Sequence, residues 1–376
     1  MNSLLGFGTM PAMGFNCGIV GLPNVGKSTL FNAMTAAHVP AEKYPFCTKD
    51  HHTGIVALPD PRLTNIASIF KPERVVPAHV EFVDIAGLVE GAHKGEGLGN
   101  RFLGHIREVD AIAHVVRCFD APDVAHAYEK LDPVHDIEVV NTELLLADLE
   151  IVAKQHDKIS HVAKSGDAHA KKQLASMEKL KAVLEAGFPA QKADLTNAEW
   201  EELPFMGLIT DKPVLYVLNV NETDVREPSQ IVRTAIDYTQ NQGAPAIEIC
   251  GSIEDELADL EEKDRKEFLK DLGLEEAGLP RLIHAAFRLL DMITFFTKDG
   301  PEVRAWNIKR GTRAPQAAGK IHTDFEKGFM RAEVYSYDEL MKAGSEHKIR
   351  EQGHIRIEGH LYEIKDGDIV HFRFNV

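Results

Sequence analysis

Gly21-Leu22-Pro23-Asn24-Val25-Gly26-Lys27-Ser28 is the stretch whose reading decides the fold. Two glycines with four residues between them, then Lys and Ser, spell a phosphate loop when they stand between a strand and a helix. Both flanks are present. Cys17 to Val20 is a short apolar run, and Ser28 to Ala37 reads as a helix with Leu30, Phe31, Met34 and Ala37 on one face. Gly21 and Gly26 permit torsions and close approach that a Cβ would block, so successive amides of Asn24, Val25 and Gly26 can turn inward onto phosphates. Lys27 is placed to reach the β- and γ-phosphates and Ser28 to give Mg²⁺ an oxygen. Thr29 opens a helix whose N-terminus favours anions.

The next chemistry lies at Val80-Glu81-Phe82-Val83-Asp84-Ile85-Ala86-Gly87, an apolar strand that delivers an acid and then a glycine. Asp84 is expected to hold the metal, directly or through water, and the Gly87 amide to touch the γ-phosphate. Four glycines follow within Val89 to Asn100, too many for a stable helix, as in a segment ordered by a γ-phosphate and released on hydrolysis. Tyr44 to Thr48 lies between the two motifs and reads as a first switch, with Thr48 either the second hydroxyl ligand of Mg²⁺ or a plain turn threonine. The position after Gly87, where related hydrolases carry a water-orienting Gln, is Leu88, which cannot polarise water. His93 and His126 are candidate replacements; His126 reads equally as a surface histidine, and His93 more readily as one.

Outward from these motifs, Ile55 to Leu58, Val80 to Val83, Ala111 to Cys118, Val214 to Val220 and Ala246 to Ile249 are strand-like runs separated by helical stretches. That alternation predicts an α/β fold, a mainly parallel sheet with helices on both faces. From Asp136 to Glu185 the apolar spacing is helical, interrupted at Gly166, which predicts an inserted antiparallel coiled-coil hairpin. Its lysines between Lys154 and Lys181 read as a solvated face or a nucleic-acid contact. Asp255 to Asp271 reads as one dense charged helix and Arg281 to Ile293 as an amphipathic one. Beyond Thr294, short strand-like runs and glycine turns predict a small α+β module. The expected organisation is a flexible leader at 1–15, a nucleotide-binding domain at 16–136 and 205–290, a helical insertion at 137–204 and a terminal domain at 291–376. Met13, directly before the first strand, reads as the native translation start.

A length of 376 residues calls for more than one core. The formal charge of -16 excludes a surface that clings to nucleic acid throughout, so any such partner must be met by a local patch, such as the Lys- and Arg-rich stretch from Lys298 to Arg331. Cys17, Cys47, Cys118 and Cys250 have no zinc-like spacing and read as buried or incidental thiols in a reducing, cytoplasmic setting. No apolar run reaches the roughly 20 residues that span a bilayer.

Base choice is expected at Asn219-Val220-Asn221-Glu222, at the end of a strand, where a guanine reader would carry Asn-Lys-x-Asp. Lys and Asp are both replaced. A carboxylate gains nothing from adenine, which presents an acceptor at N1, so a Glu222 displaced from the guanine position, with main-chain groups at Val220 reading the 6-amino group, points to ATP.

Together the phosphate loop, Asp84 to Leu88, Lys94-Gly-Glu-Gly-Leu-Gly-Asn100 and Asn219 to Glu222 resemble the YchF, or Obg-like, ATPases. Arg304 to Ile308 and Ala314 to Phe329 resemble their TGS domain. The similarity runs from about Gly14 to Val376. It implies a G domain that prefers ATP over GTP, a helical hairpin inserted in it, a TGS module, ribosome association and roles in translation and stress responses. Carried onto this sequence, it gives phosphate contacts to Asn24 through Thr29, Mg²⁺ to Ser28 and Thr48, and adenine contact to Val220. The base-flanking loop falls at Cys250-Gly251-Ser252, where Cys-Gly departs from the commoner Ser-Ala or Cys-Ala. The resemblance also assigns water activation to a histidine at the place of His126. Related proteins with an apolar residue at the place of Leu88 use an Asn at the place of Asn24 to hold K⁺. The function this implies is a slow ATPase switch whose nucleotide state controls ribosome binding. A GTPase of the same fold, and a non-hydrolysing RNA-binding scaffold that merely retains the loop, are the alternatives.

Overall fold

A computed structural model describes residues 15–36, 53–85, 98–121 and 130–375. β1 (Asn16–Val20) leads through the phosphate loop into α1 (Lys27–Ala36). β2 (Thr53–Ala57), α2 (Pro61–Phe70), β3 (Arg74–Val76), β4 (His79–Asp84), α3 (Leu98–Glu108) and β5 (Ala111–Arg117) follow. Next come the long α4 (Pro133–Lys164), α5 (Ala168–Glu185) and α6 (Asn197–Glu202). The chain then continues through β6 (Val214–Asn219), α7 (Gln230–Asn241), β7 (Ala246–Ile249), α8 (Gly251–Asp259), α9 (Glu262–Asp271) and α10 (Gly278–Leu289). The last stretch comprises β8 (Met292–Asp299), β9 (Glu302–Lys309), α11 (Ala314–Ile321), α12 (Thr323–Lys327), β10 (Phe329–Ser336), α13 (Tyr337–Ala343), α14 (Glu346–Glu351), β11 (Arg356–Glu358) and β12 (Asp368–Phe374).

The first sheet has the order β2-β4-β1-β5-β6-β7 and is parallel except for β2, which runs antiparallel to β4. The mainly parallel sheet read from the sequence is therefore present. β5 is buried at every position because helices cover both of its faces, which explains its unbroken apolar spelling. β1 lies between β4 and β5, with Cys17 opposite both Phe82 and Ala111. The chain leaves β1 towards one side and later returns on the other. The carboxyl ends of these strands consequently open a crevice at the phosphate loop.

α4 and α5 form the expected antiparallel hairpin, turning at Gly166, whose φ of 98° suits a residue without a Cβ. The arm begins later than the expected boundary at 137, because Ile137, Val140, Leu144 and Ala147 still pack into the cores beside the sheet. Only beyond them do Val152 and Ile159 turn to Met177, Leu180 and Leu184 of α5. The single helix expected from Asp255 to Asp271 is two. α8 ends at Asp259 and α9 starts at Glu262, with Leu260 in extended geometry turning inward to pack on the core. The charge-rich composition of that segment hid the break.

The second sheet has the order β11-β10-β12-β8-β9-β3. Phe295 packs edge-on to Phe372, with ring centres 6.0 Å apart, over the small residues Ala314, Ala317 and Ala318 of α11. β3 was read with the first region, yet it pairs in parallel with β9, Val75 opposite Val303, and so forms the edge of the second sheet. Three residues are too few to carry a pattern of their own, and the pairing spans most of the chain. Among the described residues no helix is long and apolar enough to cross a membrane.

Candidate functional site

The phosphate loop has the torsions its glycines suggested. Gly26 sits at φ 96°, and a Cβ there would stand 2.2 Å from the Asn219 amide nitrogen. Asn24 itself adopts φ 61°, a conformation Asn tolerates better than most residues. The Lys27 ammonium donates to the carbonyls of Gly21 at 3.1 Å and Leu22 at 2.7 Å, which folds the side chain back over the loop. With three N–H donors it retains one for a phosphate. Burial pulls the Lys27 pKa down to about 8, against an upward pull from the Asp84 carboxylate. Ser28 and Thr29 are exposed in the first turn of α1, where unpaired amides and the helix dipole favour an anion.

β4 brings Asp84 beside the loop, opposite Ile19 of β1. The structure thus unites Lys27, Ser28 and Asp84 at adjacent strand ends. Among the described residues no cluster of three or more His, Cys, Asp or Glu is prepared for a metal. One hydroxyl and one carboxylate is a fitting protein share for Mg²⁺, which takes its other oxygens from phosphates and water. Thr48, Gly87, Leu88, His93 and His126 lie outside the described residues, as does Met13.

At the base end, Asn219 is 5% exposed, and both ends of its amide are engaged by protein. Nδ2 donates to the Val25 carbonyl at 3.0 Å and Oδ1 accepts from the Gly251 amide at 3.0 Å. Asn219 therefore braces the phosphate loop against the turn that follows β7. The Val220 amide donates to Ile249 at 2.9 Å. Glu222 is exposed, and its carboxylate accepts from the Ser252 hydroxyl at 3.2 Å, while that hydroxyl lies 3.1 Å from Cys250 Sγ. Asn219, Val220, Glu222 and Ser252 thus converge from two strand ends.

Behind the loop stands a group the sequence reading missed. His114 on β5 is 2% exposed, its ring 5.2 Å from that of Tyr216, whose hydroxyl accepts from Asn141 of α4 at 3.0 Å. Burial, aided by the Lys27 charge, drives its pKa down to about 3, so it is neutral at ordinary pH. A histidine inside an apolar run was the available signal. Of the four cysteines, Cys17, Cys118 and Cys250 are buried free thiols, and burial raises the Cys17 pKa to about 12.

Comparison with known proteins adds to this geometry. Residues 16–155 match the family model MMR_HSR1, described as "50S ribosome-binding GTPase". Residues 292–375 match the model YchF-GTPase_C, described as "Protein of unknown function (DUF933)". The chain is 50% identical over 364 residues to the ribosome-binding ATPase YchF of Haemophilus influenzae, covering 97% of this chain and 100% of that one. It is 47% identical over 366 residues to the ribosome-binding ATPase YchF of Bacillus subtilis, with the same coverage. The solved structure of the Schizosaccharomyces pombe YchF GTPase superposes with a TM-score of 0.88 at 35% identity, covering 99% of this chain and 100% of that one.

Proposed function

The chain belongs to the YchF family, and from that premise we propose that it is a ribosome-binding ATPase whose bound nucleotide sets its affinity for the ribosome. The observation that carries the reading is the convergence of Lys27, Ser28 and Asp84 beneath the N-terminus of α1, with Asn219 locking the phosphate loop to the base-flanking loop. A scaffold that merely retained the fold would have no use for a buried lysine, its pKa lowered by burial, aimed at an anion site.

In this reading Asn24 through Thr29 wrap the phosphates, and Ser28, Thr48 and Asp84 hold Mg²⁺. When bound, the metal neutralises phosphate charge. The Gly87 amide contacts the γ-phosphate. His126 orients the attacking water in place of Leu88, and Asn24 contributes to a K⁺ site. Adenine is read by the Val220 carbonyl, since the Val220 amide already serves Ile249 and the 6-amino group needs an acceptor. Glu222, held aside by Ser252, offers guanine no good pair of acceptors. Residues 291–376 act as a TGS module, and RNA contact runs through it and the helical arm, where Lys158, Lys164, Lys171 and Lys172 are exposed. Work on the ribosome places the protein in the cytoplasm, with effects on translation and stress responses.

A GTPase is the second reading, favoured by the descriptions of one matching family model and of the Schizosaccharomyces pombe structure. The functional claim itself is tested by phosphate release from ATP with and without ribosomes. Release stimulated by ribosomes and abolished in Lys27→Ala is expected. Equal release from wild type and Lys27→Ala would leave only a scaffold.

A further inference from the structure

A buried polar knot joins α3, α4 and the entry to β6 at the sheet edge opposite the phosphate loop. The parallel strands point their carboxyl ends at Lys27 and Asp84, so a helix returning from that edge must finish at the other. α3 is that helix, the next described element after Asp84, and its 11 residues span about 16 Å. α4 travels the same way from the end of β5, packed on the sheet through Ala147. Asp148 therefore sits where α4 leaves the sheet and becomes the arm.

Asp148 is fully buried. Its Oδ1 accepts from Arg107 Nη1 at 3.2 Å and from the Ile209 amide at 3.0 Å, and its Oδ2 accepts from the Thr210 amide at 2.7 Å and the Thr210 hydroxyl at 2.8 Å. The Arg107 guanidinium also donates to the carbonyls of Gly207 at 3.1 Å and Ala147 at 3.5 Å. Lys212 caps the end of α3 by donating to the carbonyls of Arg107 at 3.0 Å and Val109. The Thr210 hydroxyl accepts in turn from the Ala190 amide at 3.0 Å, beyond the end of α5. Both roots of the arm and the far end of α3 thus close on one carboxylate.

A buried charge with every acceptor site engaged cannot part from its partners cheaply, so displacement of α3 must carry α4 and residues 207–212 with it. We propose that the Arg107–Asp148 knot is the joint through which the nucleotide state felt at Asp84 reaches the helical arm and sets its pose on the ribosome. The inference rests on the switch reading above and adds the route. α3 is the rigid connector, Arg107 the coupling and positioning residue, and Asp148 the anchor.

The test is ribosome co-sedimentation of the full chain with ADP or with a non-hydrolysable ATP analogue, scored as the ratio of the two affinities. Wild type is expected to show a ratio of about ten or more. Arg107→Met should bring the ratio below about two while each nucleotide still binds within about twofold of wild type. Arg107→Lys, which keeps a charge beside Asp148 but loses the fork to Gly207 and Ala147, should fall between. Weakening in both nucleotide states with the ratio intact would make the knot a static brace and overturn the joint. No ratio in wild type would instead sink the switch reading, and the joint with it. Should Arg107→Met fail to fold, Thr210→Val removes one bond to Asp148 at little change in shape, and a ratio undiminished in it overturns the proposal equally.

Discussion

Lys27 is held in a state that favours ligand over fold. Its folded pKa of about 8 lies below the 10.5 of a free lysine because burial penalises the ammonium. Between those values the unfolded chain binds more protons than the native one, so native stability rises with pH across that window. Bound phosphates restore the charge, and ATP binding should therefore take up protons increasingly as pH passes 8. Calorimetry in buffers of different ionisation heat will read this, and proton release there would contradict it. Lys27→Met should lose ATP binding yet melt no lower than wild type without nucleotide. His114 gives the mirror case. Its folded pKa of about 3 against 6.5 means the unfolded chain alone takes up a proton as pH falls below 6.5, so stability drains through that range. The loss attributable to it is about 3 kcal/mol by pH 4, and urea titrations of His114→Gln should show a flatter acid limb. Glycines, lysine and acids at the site were legible because their chemistry is local. The bracing role of Asn219 was not, since it depends on Val25 and Gly251 arriving from elsewhere in the chain.

Among elements, the arm was legible in outline from its helical spacing and from Gly166, beside which Asp167 caps α5 by accepting from the Ala170 amide at 2.8 Å. Its point of departure was not. One unbroken helix serves the sheet first and α5 afterwards, and a continuous apolar stripe does not announce a change of partner. Leu180 is fully buried between α4 and α5. Leu180→Ala should cost about 2–5 kcal/mol of local stability by leaving a cavity. Hydrogen exchange is expected to quicken across 150–185 while ATP affinity stays within about twofold, since α5 packs in the arm's own core, apart from Lys27 and Asn219. Strong coupling of this change to ATP affinity would count against an arm that leaves the sheet at Asp148. The knot itself was invisible in sequence, because Arg107, Asp148 and Thr210 are ordinary residues until the fold stacks them.

At the scale of the molecule, the two sheets are sewn together. β3 crosses to the second sheet, the Asn307 amide donates to the His79 carbonyl at 3.1 Å, and Arg62 pairs with both Asp60 and Asp366 over the ring of Phe296. These contacts should make one cooperative unit of regions that the sequence suggested could be divided at 291. Trp306 fluorescence, isolated with Trp200→Phe, should unfold together with the far-UV signal of the whole. Arg62→Ala should lower stability by about 2 kcal/mol, shifting the common transition rather than splitting it. The central claim concerns the whole as a nucleotide-driven machine that takes ATP. Its most direct test is displacement of one fluorescent nucleotide from the full chain in Mg²⁺ by ATP and by GTP. ATP is expected to displace it at a concentration at least about tenfold lower, and displacement by GTP at an equal or lower concentration would contradict the account.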